Sequence, residues 1–397
     1  MFVRAAQKLD IDITIASERP NSLSHYLPVD LVTLDFNRPL RCADAMRDFA
    51  KKHPIDAVIG VDDQVTLAAA AIGEALSLPH NPIAAARASR DKYKMRTRLA
   101  KGDVPQPDFQ LLSIRERGTR AALGLSYPCV VKPLMMAASR GVIRADTPED
   151  FVTALRKISC ILNSKDAPTE RESREHILVE EYVSGWEVAV EGMLTNGRLD
   201  VFAIFDKPDP LEGPYFPETI YVTPSRLRDQ VQERIVSITQ EAALDLGLRQ
   251  GPIHAELRGD ADHLWFIEMA ARSIGGYCSK VLRFDDGLSL EDVIIGHALG
   301  GSNYQLPERL SGAAGVMMLQ APRTGRFIRA VGIKQARAVP GIEEIIVSSH
   351  PGQVLTPLPE GFLYLGFVFA RADTPQQVEK ALRRAYERLE FVIEPSD

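Results

Sequence analysis

The sequence predicts an α/β protein of two or three domains, and three observations predict it. At 397 residues the chain is longer than one ordinary hydrophobic core serves. Its N-terminal stretch alternates short apolar runs with helical patterns, which implies a parallel sheet. Its centre, Gly251 to Gly276, reads as a β-hairpin whose alternating positions carry carboxylates. Hydrophobic residues at 45% and charged residues at 25% are ordinary for a soluble globular protein. A formal charge of −6 without blocks of like charge argues against broad nucleic-acid affinity. No apolar run is long enough to cross a bilayer, and MFVRAAQKLD lacks the apolar core and cleavage site of a signal peptide. Cys42, Cys129, Cys160 and Cys278 lie far apart with no metal-type spacing. Reduced, mostly buried thiols in a cytoplasmic protein are therefore expected.

The elements follow in order. Phe2, Ala5, Ala6 and Leu9 have helical spacing, Asp12–Ala16 reads as a strand, and Leu31–Phe36 leads into a helix at Ala43–Lys52. Asp56–Val61 reads as a further strand before the break Asp62-Asp63 and an alanine-rich helix from Gln64 to Leu76. Such a unit normally opens with a strand, so a leading strand is expected to be missing here. The prolines of Leu78–Pro82 mark a boundary, and a helix carrying Ser89–Tyr93 runs to about Lys101. Tyr127–Pro133 is a short apolar strand bearing Lys132. A lysine there is often only a snorkelling surface residue. The following loop, Leu134–Val142, supplies backbone donors, the Ser139 hydroxyl, Arg140 and the permissive Gly141, which are parts of a phosphate cradle.

Phe151–Leu162 is helical in pattern, and Asn163–His176 is polar without periodicity and expected to be a mobile loop. Ile177–Val190 places two strands around a connector at Tyr182–Gly185, with Glu180, Glu181 and Glu187 beside it. Asp206–Pro224, rich in proline and aromatics, has the length of a lid or binding loop. From about Leu310 a third unit begins, with strands at Gly315–Gln320, Arg326–Val331, Glu343–Ser348 and Phe362–Ala370. Thr374-Pro375 starts its closing helix, whose stripe is Val378, Leu382, Ala385 and Leu389. Packing and interface are its expected roles.

In the central hairpin a loop at Gly259–His263 would set Arg258 opposite Leu264, Glu256 opposite Phe266 and His254 opposite Glu268. Glu256 and Glu268 would then be diagonal neighbours with β-carbons roughly 7 Å apart. Two such carboxylates suit a hard cation, although a solvated hairpin face shows the same alternation. Arg272 follows Glu268 by four residues and Ser273–Gly276 come next, so carboxylate, cation and permissive backbone converge. That convergence suits a phosphate-rich transition state. His254, on the Glu256 face, would position substrate, move a proton, or serve only the fold.

SRDKYKMR around Lys92, YPCVVKP at Lys132, ILVEEYVSGWEV, GPIHAEL and FIEMAARSIGG, in this order and spacing, resemble the ATP-grasp superfamily. The match covers essentially the whole chain and is closest to the carboxylate–amine ligase branch, including bacterial enzymes that join L-amino acids. The resemblance implies an ATP-grasp fold: a pre-ATP-grasp parallel-sheet domain at 1–86, a nucleotide-binding and catalytic domain at 87–308, and a C-terminal α+β domain at 309–397. It implies that Lys92 and Lys132 contact ATP phosphates, with Ser139 and Gly141 in the phosphate loop. Glu180, Glu181 and Val183 would hold adenine and Glu187 the ribose. Glu256 and Glu268 would bind Mg²⁺, with Mn²⁺ as a substitute, and Arg272 would steady an acyl phosphate together with the Gly275–Gly276 backbone. Lys207, Glu218 and Tyr221 would line the acceptor pocket. Ala270 stands where the family has a metal-binding Asn, and the phosphate loop lacks its usual glycines.

The implied activity is ATP-dependent ligation of a small carboxylate to an amine, amino acids among them, with release of ADP and phosphate. No nucleic-acid or membrane partner is expected, and a homodimer is compatible with this reading. Two rivals stand beside it: an ATP-grasp carboxylase or formyl-phosphate enzyme, and a nucleotide-binding protein without turnover.

Overall fold

The computed structural model describes residues 1–19, 30–115, 124–165, 167–260 and 262–395. In the first segment, β1 (Thr14–Ser17) and β2 (Asp30–Thr33) pair in parallel as a two-stranded sheet. Helix Phe2–Lys8 buries Ala5 and Ala6 against Ile295 of helix Leu290–Gly300, and Lys8 reaches Asp292 at 3.1 Å. The strand expected at Asp56–Val61 does not form, because no neighbour in register takes its backbone groups among the described residues. The alternation there reflects packing alone: Val58 joins the Leu34–Met46 core and Ile59 meets the helix Phe2–Lys8 cluster. β1 likewise carries a ladder on one edge only, among the described residues.

Two antiparallel sheets then face one another. The smaller, in the order β3-β6-β4-β5, contains β3 (Phe109–Ser113), β4 (Cys129–Pro133), β5 (Ile143–Ala145) and β6 (His176–Glu181). Helix Pro148–Leu162, capped by Thr147 with proline in its first turn, covers it with Phe151, Ala154, Leu155 and Ile158. The larger sheet has eight strands in the order β11-β10-β7-β8-β9-β12-β16-β14. Its first five strands in that order are built from β7 (Trp186–Thr195), β8 (Arg198–Lys207), β9 (Ile220–Thr223), β10 (Gly251–Gly259) and the edge strand β11 (Leu264–Ala270). Helix Asp229–Leu246 packs on one face of this sheet through Ile235, Ile238, Ala242 and Leu246.

The last segment extends the same sheet with β12 (Ala313–Leu319), β14 (Ile342–Val347) and β16 (Gly366–Ala372). β13 (Gly325–Val331), β15 (Val354–Leu355) and β17 (Glu390–Glu394) form a separate three-stranded sheet. Helix Pro375–Tyr386 starts on a capping box between Thr374 and Gln377 and buries Val378, Leu382 and Ala385. Leu389 lies past its end.

Three further expectations need correction. The strand expected from Phe362 begins only at Gly366, and Phe362 and Leu363 are exposed. The polar stretch 163–176 holds a helix, Arg171–Glu175, and is tied down by Thr169 on Asn37 (3.0 Å) and Glu172 on Lys94 (3.3 Å). Residue 166 within it, like residue 261 in the hairpin loop, lies outside the described residues. Asp206–Pro224 is also less of a loop than its prolines suggest, since Lys207 closes β8 and Tyr221 sits within β9. All four cysteines are free thiols, Cys160 alone being exposed. No helix among the described residues is long and apolar enough to cross a membrane.

Candidate active site

Strand alternation builds the site. Val188, Val190, Ile253, Ala255 and Leu257 face the helix Asp229–Leu246 core. The intervening Glu187, Glu191, His254, Glu256 and Arg258 therefore share the opposite face of β7 and β10. Lys207 joins them from β8, directly opposite Glu187. On β11 the expected register is corrected twice: Gly259 pairs with Leu264, so the turn is one residue shorter than Gly259–His263, and a bulge between Glu256 and Leu257 of the pairing adds a second step. Leu257 pairs with Phe266, Arg258 with Trp265 and His254 with Ala270, so Ile267 is the extra residue. Glu256 and Glu268 thereby become direct cross-strand partners rather than diagonal ones.

Arg96 holds that bulge. Its guanidinium donates to the Phe266 carbonyl at 3.1 Å and the Ile267 carbonyl at 2.7 Å, and through Nε to Glu180 at 2.7 Å. The second Glu180 oxygen accepts from Lys132 at 2.5 Å. Burial alone would raise the Glu180 pKa, but Arg96 and Lys132 outweigh it and hold the carboxyl at about 2. Lys92 is placed by Asp91, which caps the helix Lys92–Leu99 by accepting from the amides of Tyr93 and Lys94. Its ammonium meets Glu268 at 3.0 Å and the Met136 carbonyl at 2.9 Å.

A second network surrounds Lys207, which contacts Glu187 at 2.5 Å, Glu256 at 3.0 Å and Glu218 at 3.1 Å. Tyr221 donates its hydroxyl to Glu218. Burial pushes the Glu218 carboxyl up to about 7 despite Lys207, because Glu256 and Glu187 crowd it with like charge. Glu256 is instead held well below the usual range: Lys207 and His254 overcome its burial. His254 lies between Glu191 (3.2 Å) and Glu256 (3.6 Å). Burial would depress its basicity, yet these two carboxylates raise it to about 9, so the imidazole is a cation near neutrality. Glu191 also accepts the Ile274 amide at 3.0 Å, fixing the chain after Arg272.

One cleft brings together Lys92, Lys132, Ser139, Glu180, Glu181, Val183, Glu187, Glu218, Glu256 and Glu268. Lys207, His254 and Tyr221 stand behind it, bonded to its carboxylates. Arg272 lines a neighbouring cleft, anchored to Asp63 at 2.7 Å. Gly141, Gly275 and Gly276 line neither cleft. Gly141 has φ +74°, where an added β-carbon would lie 2.7 Å from Pro133, and its amide donates to the Pro359 carbonyl at 3.0 Å. Arg96, Glu191, Arg258 and Asp63 were not singled out by the sequence. Glu191 and Arg258 left a signal, sharing strand faces with Glu187 and with His254 and Glu256 by even spacing; Arg96 and Asp63 left none.

The donor set fits a hard divalent cation. Glu256 and Glu268 present oxygens from facing strands into one cleft, and both are satisfied by ammonium or imidazolium groups. Oxygens of Glu187, Glu218 and Glu256 also approach within 4.8 Å of one another, with Lys207 bonded to all three.

Family models match three parts of the chain: an ATP-grasp N-terminal domain at 3–80, an ATP-grasp domain at 125–281, and an L-amino acid ligase C-terminal domain 2 at 317–394. The alanine–anticapsin ligase of Bacillus subtilis is 26% identical over 250 residues, 60% of this chain and 52% of that protein. The chain spans between 27% and 61% of the length of these curated relatives. An L-amino acid ligase from Bacillus licheniformis superimposes with a TM-score of 0.80 at 24% identity, covering 99% of this chain and 95% of that one. The biotin carboxylase domain of the Hydrogenobacter thermophilus 2-oxoglutarate carboxylase, solved with MgADP and bicarbonate, gives 0.68 at 17% identity, covering 99% and 88%. The chain thus carries an ATP-grasp N-terminal domain and an ATP-grasp domain, and it has the ATP-grasp fold along its length.

Proposed function

We propose that the protein is an ATP-dependent carboxylate–amine ligase that activates an acid as its acyl phosphate and releases ADP and phosphate. The observation that carries this reading is the meeting of two clefts at the Lys92–Glu268 pair. One is lined by Lys132, Glu181, Val183 and Glu187, with groups suited to a nucleotide. The other, beyond Lys92, is open to small substrates and carries Arg272. The likeness to L-amino acid ligases supports the same choice.

In this reading the connector after β6 receives adenine, with Glu181 and Val183 at its edge and Glu187 toward the ribose. Lys132 and Lys92 turn from Glu180 and Glu268 to the phosphate oxygens. Glu256 and Glu268 would hold Mg²⁺, or Mn²⁺ in its place, which when bound neutralises phosphate charge. A substrate carboxylate oxygen attacks the γ-phosphorus and the bond to ADP breaks, a step catalysed mainly by positioning and charge neutralisation. Arg272, fixed by Asp63, steadies the acyl phosphate, and the amine nitrogen then displaces phosphate at the acyl carbon. His254 serves as a fixed positive charge rather than a base, because Glu191 and Glu256 keep it protonated. Water must be kept from the acyl phosphate. The phosphate loop is latched for that purpose by the Pro359 and Glu360 carbonyls, at 3.0 and 2.9 Å from the Gly141 amide and Arg140.

The test is ADP and phosphate release over pairs of carboxylic acids and amines, with mass spectrometry of the products. Release that requires both partners, with an amide product, is expected. Release driven by bicarbonate or formate would favour the carboxylase or formyl-phosphate reading, which shares this fold. Nucleotide binding without release would favour a protein without turnover.

A further inference from the structure

Between β8 and β9 the chain leaves the large sheet and fastens onto the small one. The Arg144 amide on β5 donates to the Pro214 carbonyl at 2.9 Å, and its guanidinium to the Glu212 carbonyl at 2.7 Å. Ile143 bridges to Tyr215, whose hydroxyl accepts from Lys157 at 2.5 Å. Leu211 and Phe216 are buried with Val130 against Tyr182 of the connector after β6. Leu211–Phe216 is therefore a strap between the two sheets at the first cleft, which Phe216 and Tyr182 line. Arg258 meets this strap from the large sheet. It is 5% exposed and pairs across the ladder with Glu187. Its Nη2 donates to the Leu211 carbonyl at 2.9 Å and the Gly185 carbonyl at 3.4 Å. The guanidinium lies over the Tyr182 and Phe216 rings, 5.3 and 5.9 Å from their centroids. Its Nε–H is buried without a hydrogen bond, and Glu187 Oε2 stands 3.5 Å away. A buried donor without an acceptor is costly, and a slight turn of the Glu187 carboxylate would supply one.

We propose that Arg258 is a positioning residue that orients Glu187 for the ribose hydroxyls and pins the strap, so that ribose recognition and strap docking are one event. This rests on the nucleotide reading of the first cleft and adds the part that closes it. Glu187 gives one oxygen to Lys207 at 2.5 Å and presents the other toward Arg258. Hydroxyls donating to that carboxylate fix its plane, and its plane decides whether Oε2 meets the Nε–H. A guanidinium is flat and rigid, so its Nε–H and Nη2–H directions move together. Seating Nε–H on Glu187 therefore sets the angle at which Nη2 holds the Leu211 carbonyl. Tyr182 ties the same unit to the adenine end. Its ring packs against both Arg258 and Arg144, the latter at 4.0 Å, and its neighbours in the chain are Glu181 and Val183. Arg258 thus acts through Glu187 and the strap.

The experiment titrates ADP, 2′-deoxy-ADP and 3′-deoxy-ADP, with Mg²⁺, into wild type, Arg258→Met, Arg258→Lys and Arg144→Gln by calorimetry. Wild type should bind ADP about 10- to 100-fold more tightly than the weaker deoxy form, the size of a hydrogen bond to a charged group. In Arg258→Met that ratio should fall by about fivefold or more. Arg258→Lys, which keeps the charge but not the fork, should restore part of it. A merely structural loss would weaken all three nucleotides alike and leave the ratio unchanged. The strap has its own readout at Glu212, which is exposed. Cleavage there by a glutamate-specific protease, located by mass spectrometry, should slow with ADP in wild type and not in Arg258→Met. Arg144→Gln covers an Arg258→Met that does not fold, because its side chain is 22% exposed and it loosens the strap from the other sheet. Its ratio should fall as well. A wild-type ratio in Arg258→Met, or in Arg144→Gln should the first not fold, would overturn the assignment alone. So would undiminished protection of Glu212 by ADP in Arg258→Met. Wild type that binds no ADP, or binds both deoxy forms as well as ADP, would remove the ribose from Glu187 and sink the nucleotide reading together with this assignment.

Discussion

The inner strands toward the two ends of the eight-stranded sheet are equally dry and chemically opposite. On β12 all seven residues are buried and apolar or glycine, and β16 adds Phe367, Val368 and Phe369. On β7, β8 and β10 the buried positions include Glu187, Glu191, Lys207, His254 and Arg258. One end gains stability from removing carbon from water. The other must hold each charge with a neighbour to offset its desolvation, and a buried ion pair brings little net stability. Charges kept under that cost are what the proposed chemistry would use, and side-chain removal should act differently at the two ends.

Leu319→Ala, at the apolar end, should lose about 2–5 kcal/mol in urea unfolding, because Leu319 is 1% exposed within the C-terminal core. Turnover per folded molecule should stay near wild type; a matching loss of turnover would erase the contrast. Glu268→Gln should do the reverse. Its side chain is 34% exposed, so the melting temperature should barely move. ADP formation should fall on the order of 10²–10³-fold, the scale of one lost preorganised contact in a transition state. Lys132→Met mixes both effects: Glu180 keeps Arg96 but loses its second partner. Stability should drop by about 1.5–3 kcal/mol, with a higher KM for ATP in initial-rate assays.

The last difference is a slope. His254, raised to about 9, favours the folded state fully below its ordinary value of 6.5 and loses that contribution as pH rises toward 9. Glu180, lowered from 4.5 to about 2, contributes above 4.5 and loses its contribution as pH falls toward 2. His254→Gln should therefore flatten the alkaline side of a melting-temperature profile, whereas Leu319→Ala should lower the whole profile evenly. Parallel profiles for wild type and His254→Gln would show that the imidazole is not held charged.

The charged end was legible where alternation and motif order report it. The hairpin, the strand bearing Lys132, the connector after Glu181 and the capped final helix all have local causes, namely periodicity, turn residues and an N-cap. The bulge did not show, because one extra residue at Ile267 leaves an apolar run looking apolar. Register there is decided by Arg96, which comes from 171 residues away to reach the Ile267 carbonyl. Asp63 meets Arg272 across 209 residues. Such partners have no local signature. Asp56–Val61 misled for the opposite reason: alternation reports burial, while a strand also requires a neighbour.

Arg96 has a mechanical consequence. Its one planar group is fastened to two carbonyls of the large sheet and to a carboxylate of the small one. Pulling the small sheet straight away would tear three contacts inside a dry interior. One side chain therefore rivets the two sheets together, and shortening it to alanine should leave the small sheet rattling against the large one.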